Sequence, residues 1–384
     1  WRVDDCFSTL SRLPEVRHEI FLTPLGESGF FYEGENDAVW LRREYAEFEA
    51  SEDVSLLRLD TRQFVSRPMA AGILHLVPRA GTRATWYSKT RERFESETTG
   101  SVTQVLADGS VLVSNAVVRT TTIEEGDSAF RPFLELGSEV SFKAFRDWAS
   151  GAEDAPVRYR HIVEPYLDLT LRPALSHWEP DDFYPLDDVD TVGAEQAVRL
   201  GIRNMIQFKR DSRIYEWFDA DLYGTYYFDS QCEPDGLGDL NLQVESRPAD
   251  AVFMRMEAVY DTQDREMELG MIRGQFTLGP QWRLSGEYRY RRELDGLLFG
   301  RLRYAPTESW AFDVYTRYNL EEARVEEHTC QVERVLDCMG MRFGFSHEPA
   351  YTMDNGQERD DDYGVHVELW LTALPQARWG GGQW

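Results

Sequence analysis

The stretch Trp282-Arg283-Leu284-Ser285-Gly286-Glu287-Tyr288-Arg289-Tyr290 alternates apolar or small residues with polar ones. Successive side chains of a β-strand point to opposite faces of a sheet, so this stretch predicts a strand with one apolar and one polar face. The same two-residue period recurs in 198–209, where Asn204 alone interrupts the apolar face, and in 310–319. Many such segments of about ten residues, separated by turns, are typical of outer-membrane β-barrels.

The two faces of a barrel strand meet different surroundings, because one contacts lipid and the other lines the lumen. In 198–209 we expect the apolar face to contact lipid through Val198, Leu200, Ile202, Ile206 and Phe208. We expect the polar face to line the lumen through Arg199, Arg203, Gln207 and Lys209.

Strand patterns follow one another along nearly the whole chain. We expect strands near 16–22, 38–48, 56–65, 72–79, 82–89, 132–145, 158–171, 196–209, 213–228, 239–247, 251–260, 265–277, 281–291, 297–304, 309–319, 328–336, 338–346 and 362–373. A further hairpin is expected at 101–119. Turn signals separate the strands at Pro234-Asp235-Gly236, Glu293-Leu294-Asp295-Gly296, Ala305-Pro306-Thr307 and Asp354-Asn355-Gly356. The sequence therefore predicts one all-β domain over 1–384, an antiparallel transmembrane β-barrel with up-and-down order.

The composition excludes several classes of function. The net charge is −27, with 68 acidic and 41 basic residues, which argues against nucleic-acid binding. No apolar run is long enough for a transmembrane helix, whereas a barrel strand needs an apolar residue only at every second position. Aromatic residues make up 13%, which suits aromatic girdles at two membrane interfaces. The chain begins at Trp1, and we expect it to be a fragment or mature portion without its targeting segment.

No residue pattern indicates catalysis, and we expect no cofactor and no bound metal. The acidic residues Asp181, Asp182, Asp187, Asp188 and Asp190 could offer oxygen ligands to Ca²⁺, but without EF-hand spacing a solvated acidic loop is the favoured interpretation. His161 and Glu164 are three residues apart, so in a strand they face opposite sides and do not form an acid–base pair. Pro165 lies within a predicted strand, where a bulge or weakened pairing is expected. An outer-membrane protease or lipase is the enzymatic alternative.

Short motifs occur in a fixed order along the chain. They are Leu13-Pro14-Glu15-Val16, Arg58-Leu59-Asp60, Leu76-Val77-Pro78-Arg79, Arg160-His161-Ile162-Val163-Glu164-Pro165, Asp187-Asp188-Val189-Asp190, and Leu200-Gly201-Ile202-Arg203-Asn204. Together they resemble the LPS-assembly outer-membrane protein family LptD, also called organic solvent tolerance protein or OstA. The motif at 160–165 is the most specific of them, and the resemblance extends over roughly residues 10–372.

The resemblance implies a non-enzymatic protein of the bacterial outer membrane, active in cell-envelope biogenesis, that inserts lipopolysaccharide into the outer leaflet. The sugar would pass through the lumen, and the acyl chains would leave through a lateral seam into outer-membrane lipid. The implied partners are lipopolysaccharide, a lipoprotein that plugs the lumen, and a periplasmic bridge for lipopolysaccharide transport. One edge of the seam would be strand 362–373, through Tyr363, Val365, His366, Val367, Glu368, Leu369 and Leu371.

Two features differ from the family pattern. Family members carry an N-terminal periplasmic β-jelly-roll domain, which nothing in this chain resembles, so the chain is expected to be the barrel portion, incomplete at its N-terminus. Cys338 matches the C-terminal cysteine of the family, whose usual partner would lie outside this chain. A local disulfide between Cys330 and Cys338 is then a possible substitute.

Two other functions stay open. A general porin or nutrient channel of the outer membrane would share the alternating strands and would conduct ions without a plug. A soluble β-rich binding protein, such as a sandwich, would bury its apolar faces between two sheets and would stay in solution without detergent.

Overall fold

A computed structural model of the chain describes residues 9–45, 53–105, 111–150, 157–210, 213–234, 236–292, 295–352 and 358–381. Several sequence features lie outside these ranges, namely Cys6 and the turn signals at Asp235, Glu293-Leu294 and Asp354-Asn355-Gly356. No helix in the described residues is long and apolar enough to cross a membrane. One short 3₁₀ turn is present, at Pro180–Asp182.

The described residues form strands throughout. In chain order they are β1 (Thr9–Pro24), β2 (Phe31–Glu44), β3 (Val54–Ser66), β4 (Met69–Ala71), β5 (Leu74–Tyr87), β6 (Thr90–Val105), β7 (Val111–Gly126), β8 (Ala129–Phe142), β9 (Ala144–Ser150), β10 (Val157–Arg172), β11 (Glu195–Arg210), β12 (Arg213–Ser230), β13 (Gly236–Ala249), β14 (Val252–Asp261), β15 (Glu266–Leu278), β16 (Trp282–Arg291), β17 (Asp295–Thr307), β18 (Trp310–Asn319), β19 (Arg324–Val335), β20 (Met339–Glu348), β21 (Tyr351–Thr352), β22 (Glu358–Arg359), β23 (Asp362–Leu371) and β24 (Leu374–Gly381).

Neighbouring strands pair antiparallel in sequence order. From β13 to β20 each strand pairs with the next, and β20 then pairs with β23 and β23 with β24. Near the N-terminus β1 pairs with β2, β2 with β3, and β3 with β5. Twenty strands belong to this sheet, while β6–β7 and β21–β22 are separate two-stranded sheets. The fold is therefore the all-β, antiparallel up-and-down meander of a transmembrane β-barrel, as the sequence predicts.

Two compact units divide the chain. The first comprises Trp1–Ser141, Leu167–Arg199 and Tyr226–Gly236, and the second comprises Phe142–Tyr166, Leu200–Thr225 and Leu237–Trp384. In the first unit a buried core forms from Val39, Leu41, Val54, Leu56, Tyr87, Ala129, Phe183, Tyr184 and Leu186. That all of 1–384 is a single domain stays a prediction.

Large apolar side chains are exposed on one face of the sheet in the second unit. On neighbouring strands Phe276, Leu284 and Leu302 lie opposite one another, and each is 41–47% exposed. The same face carries exposed residues Ile272, Tyr288, Leu298, Phe312, Val314, Phe343, Phe345, Val365 and Val367. A soluble protein rarely exposes a continuous apolar surface of this kind, whereas hydrocarbon favours it when the backbone is fully paired. This face is therefore the one that would contact lipid in the outer-membrane barrel that the sequence predicts.

Three sequence expectations differ from the structure. The strands expected at 72–79 and 82–89 form one strand, β5, because Ala80 and Gly81 keep their pairing with β3. The hairpin expected at 101–119 is longer and comprises β6 and β7. The last expected strand ends at 373, but the structure adds β24, which pairs with β23. A register shift at Leu371 places Pro375 in an irregular stretch, where its missing N–H removes no ladder hydrogen bond.

Candidate functional site

A segment between β10 and β11 covers one face of β2 and β3 in the first unit. We call residues 173–194 the covering segment. Its Phe183 is 1% exposed and lies against Tyr87, with ring centroids 4.3 Å apart. Tyr184 and Leu186 complete the same apolar core. On the opposite face of β2, Trp40 is 44% exposed.

Arg58 of β3 ties the covering segment to the sheet. Its Nη1 and Nη2 donate to Oδ1 and Oδ2 of Asp187 at 2.6 and 2.7 Å, and Nη1 also donates to Asp190 Oδ1 at 2.8 Å. Arg58 is 1% exposed. A bidentate arginine–carboxylate pair fixes orientation as well as distance, and a buried pair loses much stability when one partner is removed.

The two carboxylates of this cluster also shape the covering segment itself. Asp190 Oδ2 accepts hydrogen bonds from the backbone N–H groups of Leu186 at 3.0 Å and Asp187 at 3.1 Å. Burial opposes ionisation of Asp187, but the hydrogen bond and charge of Arg58 outweigh it, so the pKa of Asp187 lies below its usual value. At Asp190 burial dominates and raises the pKa, although Arg58 opposes the shift. Asp187 is therefore the carboxylate that keeps its charge most firmly.

Arg131 of β8 holds the same segment through its backbone. Its Nη1 donates to the carbonyl oxygen of Asp190 at 3.0 Å, and Nη2 donates to that of Val189 at 2.9 Å. Nη2 also donates to the Tyr87 hydroxyl at 2.9 Å, and the guanidinium lies 4.5 Å from the centre of the Phe183 ring. The side chain is completely buried. Arg58 and Arg131 thus anchor the covering segment from two strands.

A second charged cluster crosses β17, β18, β19, β20 and β23 in the second unit. We call it the charge ladder, and it lies opposite the exposed apolar face. Asp313 accepts from Arg301 at 2.7 Å and from Arg303 at 2.6 Å. Arg303 also donates to Glu333 at 3.3 Å. The next strands continue the pattern through Arg342, which donates at 2.9 Å to both Glu333 and Glu368.

Two cavities open along this polar face. One of about 560 Å³ lies along the ladder and is lined by charged and polar groups, among them Asp313, Glu327 and Arg342. The other, of about 330 Å³, lies across β15, β16 and β17 and shares Arg301 with the first. This face can therefore accommodate water and polar solutes beside its ion pairs.

The motif residues of β10 and β11 in the second unit divide between the two faces. The Arg203 guanidinium lies 4.0 Å from the centre of the Tyr166 ring, and the Tyr166 hydroxyl donates to Asp221. A Cβ on Gly201 would lie 2.4 Å from Cζ of Tyr166, so this ring requires glycine beneath it. Ile202, on the other face, is 37% exposed, which agrees with the predicted register of 198–209.

His161 and Glu164 do not meet, as their spacing predicts. His161 Nε2 is hydrogen-bonded to Asn204 Oδ1, so the two polar residues on this apolar face satisfy each other. Glu164 is paired with Lys143 at 3.5 Å. Arg160 donates twice to Asp147, at 2.8 and 3.0 Å. Pro165 lies inside β10.

The remaining motif residues lie in separate parts of the first unit. Pro14 falls at a register shift between Arg12 and Glu15 in β1. Asp60 accepts two hydrogen bonds from Arg83 and one from Thr85. The Pro78 carbonyl accepts from the backbone N–H of Arg67. Arg79 forms an ion pair with Asp168 at 2.6 Å. Among the motif residues the structure thus joins Arg58 with Asp187 and Asp190, His161 with Asn204, and Glu164 with Arg203 at 4.0 Å.

The predicted seam strand corresponds to β23. Its outward residues are exposed, namely Tyr363, Val365, Val367, Leu369 and Leu371. On the other face His366 is hydrogen-bonded to Ser346, and Glu368 is paired with Arg342. The alternation is as predicted, but the edge position is wrong, because β23 pairs with β20 on one side and β24 on the other.

The disulfide between Cys330 and Cys338 is not formed, and both thiols are free. Cys330 lies within β19 opposite Phe345, whereas Cys338 lies in the connection to β20. At a rise of about 3.3 Å per residue this separates the two by roughly 20 Å along the hairpin. A disulfide requires Cα atoms within about 7 Å. Cys232 is also free.

No family model matches the chain. No curated protein matches it in sequence. Solved structures with similar topology include the siderophore receptor PirA from Acinetobacter baumannii, at 7% identity and a TM-score of 0.41, covering 96% of this chain and 65% of PirA. The ferric enterobactin receptor PfeA from Pseudomonas aeruginosa matches at 7% identity and a TM-score of 0.35, covering 96% of this chain and 74% of PfeA. The copper transporter OprC matches at 10% identity and a TM-score of 0.30, covering 96% of this chain and 72% of OprC.

These comparisons correct the family assignment. The resemblance to the LPS-assembly family LptD was wrong, because no family model matches and the similar structures are receptors and a transporter of other kinds. The partners that this resemblance implied were wrong as well, namely lipopolysaccharide, a plugging lipoprotein and a periplasmic transport bridge. The motif residues have local roles instead. Arg58 and Asp187 pair in a buried cluster, and Gly201 makes room for an aromatic ring.

Several residues at the two charged clusters carried no sequence signal of their own, among them Arg131, Phe183, Arg303, Glu333 and Arg342. One signal was available for the covering segment. Val39, Trp40 and Leu41 are apolar at consecutive positions, which in a barrel strand means that both faces are covered by apolar surroundings. The charge ladder depends on strand register, which alternation alone does not give.

Proposed function

We propose that this protein is an outer-membrane channel that lets small polar solutes cross the bilayer along the polar face of its sheet. The observation that carries the proposal is the charge ladder, which lies opposite the exposed apolar face of the same strands. Polar lumen residues beside a lipid-facing apolar surface are the arrangement of water-filled barrels. Channel selectivity arises from charged side chains that line the path.

The pairing within the ladder suits a path for solutes. Asp313, Glu333 and Glu368 are each held by at least one arginine, so the face presents fixed charges of both signs. Paired charges of this kind do not need to be neutralised by a tightly bound counterion. A hydrated solute can therefore exchange its water for these groups without a large desolvation cost.

The covering segment of the first unit is held firmly on its own strands. It lies over the inner face of β2 and β3, and Arg58 and Arg131 hold it there through charged and backbone hydrogen bonds. Inner-face positions beneath it, such as Leu41 and Leu56, are apolar because the segment and not water contacts them.

The test is electrical. We expect the purified protein, inserted into planar lipid bilayers, to give stepwise ion conductance, and liposomes that contain it to swell in sugars up to a size limit. Folding is checked independently by heat-modifiable migration in gels. A folded, inserted protein with neither conductance nor sugar flux would overturn the proposal.

A further inference from the structure

The charge ladder ends on an excess of positive charge. On β16, the strand next to β17 of the ladder, Arg283 lies directly opposite Arg303, and Ser285, on the same face, lies opposite Arg301. Like charges at directly opposite positions of an antiparallel pair destabilise the sheet. Within the described residues Arg283 forms no ion pair, whereas Arg301 and Arg303 share Asp313.

Every side chain that lines the cavity at this position can donate hydrogen bonds to an anion. Its lining consists of Gln275, Arg283, Ser285, Arg301 and Arg303, and its volume is about 330 Å³. Among the residues that the structure describes no carboxylate lines it, although the whole chain has a net charge of −27. The three guanidinium groups of this cavity therefore form a positively charged patch in a protein whose overall charge is negative.

We infer that this cavity binds an oxyanion group, such as phosphate, on a solute that uses the channel. Guanidinium groups present paired N–H donors that match the oxygens of phosphate, and the hydroxyl and amide of the site can add further bonds. A bound anion would also remove the repulsion between Arg283 and Arg303. The solute part of this inference rests on the proposed channel function, whereas the anion site does not.

Arg283→Gln is the variant that isolates the site. It removes one positive charge and leaves no buried carboxylate without a partner, so the fold is expected to persist. Arg273→Gln is the matched control. It makes the same change of charge on the adjacent strand, where Arg273 is paired with Glu287 and lies outside the cavity.

Binding of inorganic phosphate to the detergent-solubilised protein is measured by isothermal titration. We expect Arg283→Gln to weaken binding about 10- to 100-fold, as for the loss of a charged hydrogen bond, and Arg273→Gln to change it less than about threefold. Equal binding by wild type and Arg283→Gln, or no phosphate binding by wild type, would overturn the site. Bilayer conductance is recorded in parallel, so that a protein that binds phosphate but does not conduct refutes only the channel.

Discussion

Replacing Arg58 by alanine should release the covering segment while the strands stay folded. The substitution removes two hydrogen bonds to Asp187 and one to Asp190. Arg58 is 1% exposed, and removal of one partner from a buried ion pair costs about 3–5 kcal/mol. At about 1.4 kcal/mol for each tenfold change, the open form of the segment should become about 100- to 4,000-fold more populated.

The assay is hydrogen exchange of the backbone amides of Leu186, Asp187 and Val189, which donate to the carboxylates of the cluster. We expect these amides to exchange about 100- to 4,000-fold faster in Arg58→Ala than in wild type, with amides of β16 and β17 unchanged. Arg58→Lys keeps the charge but cannot form the bidentate pair, so an intermediate rate is expected.

Arg62→Ala is the matched control, because Arg62 is on the same strand and its guanidinium lies over the Phe64 ring, 4.5 Å from its centre. Exchange at 186–189 should stay at the wild-type rate in this variant. If Arg58→Ala also leaves that rate unchanged in a folded protein, the arginine does not anchor the segment.

Three further predictions concern packing, membrane contact and pH. Gly201→Ala should destabilise the protein by about 1–3 kcal/mol in urea unfolding, because a Cβ there would overlap the Tyr166 ring. Gly270→Ala, with no atom within 4 Å of the added Cβ, should be nearly neutral, and equal effects of the two would refute the packing. Ile202→Arg should cost roughly 2–4 kcal/mol of folding in lipid if the residue lies near the midplane, and a neutral result would count against the register. The pKa of Asp187 in the folded state is lowered from its ordinary value of 3.8. Its ion pair therefore stabilises the covering segment at pH values above 3.8, and this stabilisation is lost as the pH falls through the lowered pKa. The ionisation of Asp190 changes the stability of the segment in the opposite direction, because burial raises the pKa of this carboxyl. Protection of the 186–189 amides, corrected for intrinsic rates, should therefore fall below about pH 4, and protection that persists to pH 2 would exclude this linkage.

Alternation was sufficient to predict the sheet and most of its strands. In 282–290 and 362–371 every second residue is apolar, and the structure exposes those residues on one face. The covering segment was not predictable in the same way, since its 173–194 sequence has no period. Its docking depends on Arg58 and Arg131, which come from strands far from it in sequence. Only the apolar run Val39-Trp40-Leu41 indicated that the inner face there is covered.

The candidate site was predictable only in part, because its members meet across strands. Arg303 and Asp313 pair since the β17–β18 turn sets their register, and a shift of one residue would separate them. Cys330 of β19 and Cys338 of the following turn show that residues close in sequence can lie far apart in the fold. Their spacing of eight residues looks short in sequence, but an extended strand carries them apart. The family motifs misled for a related reason, because single Arg, Gly and Asp positions are fixed by packing in many sheets.

The most direct test of the central claim is to place single cysteines at adjacent positions of β16 in a cysteine-free protein. Ser285→Cys lies on the polar face and Leu284→Cys on the apolar face of the same strand. In lipid bilayers a charged, membrane-impermeant thiol reagent should react with the cysteine at 285 and reduce the channel conductance. The cysteine at 284 should stay unmodified and its conductance unchanged. Reaction at both positions, or at 284 alone, would contradict a barrel whose polar face forms the path for solutes.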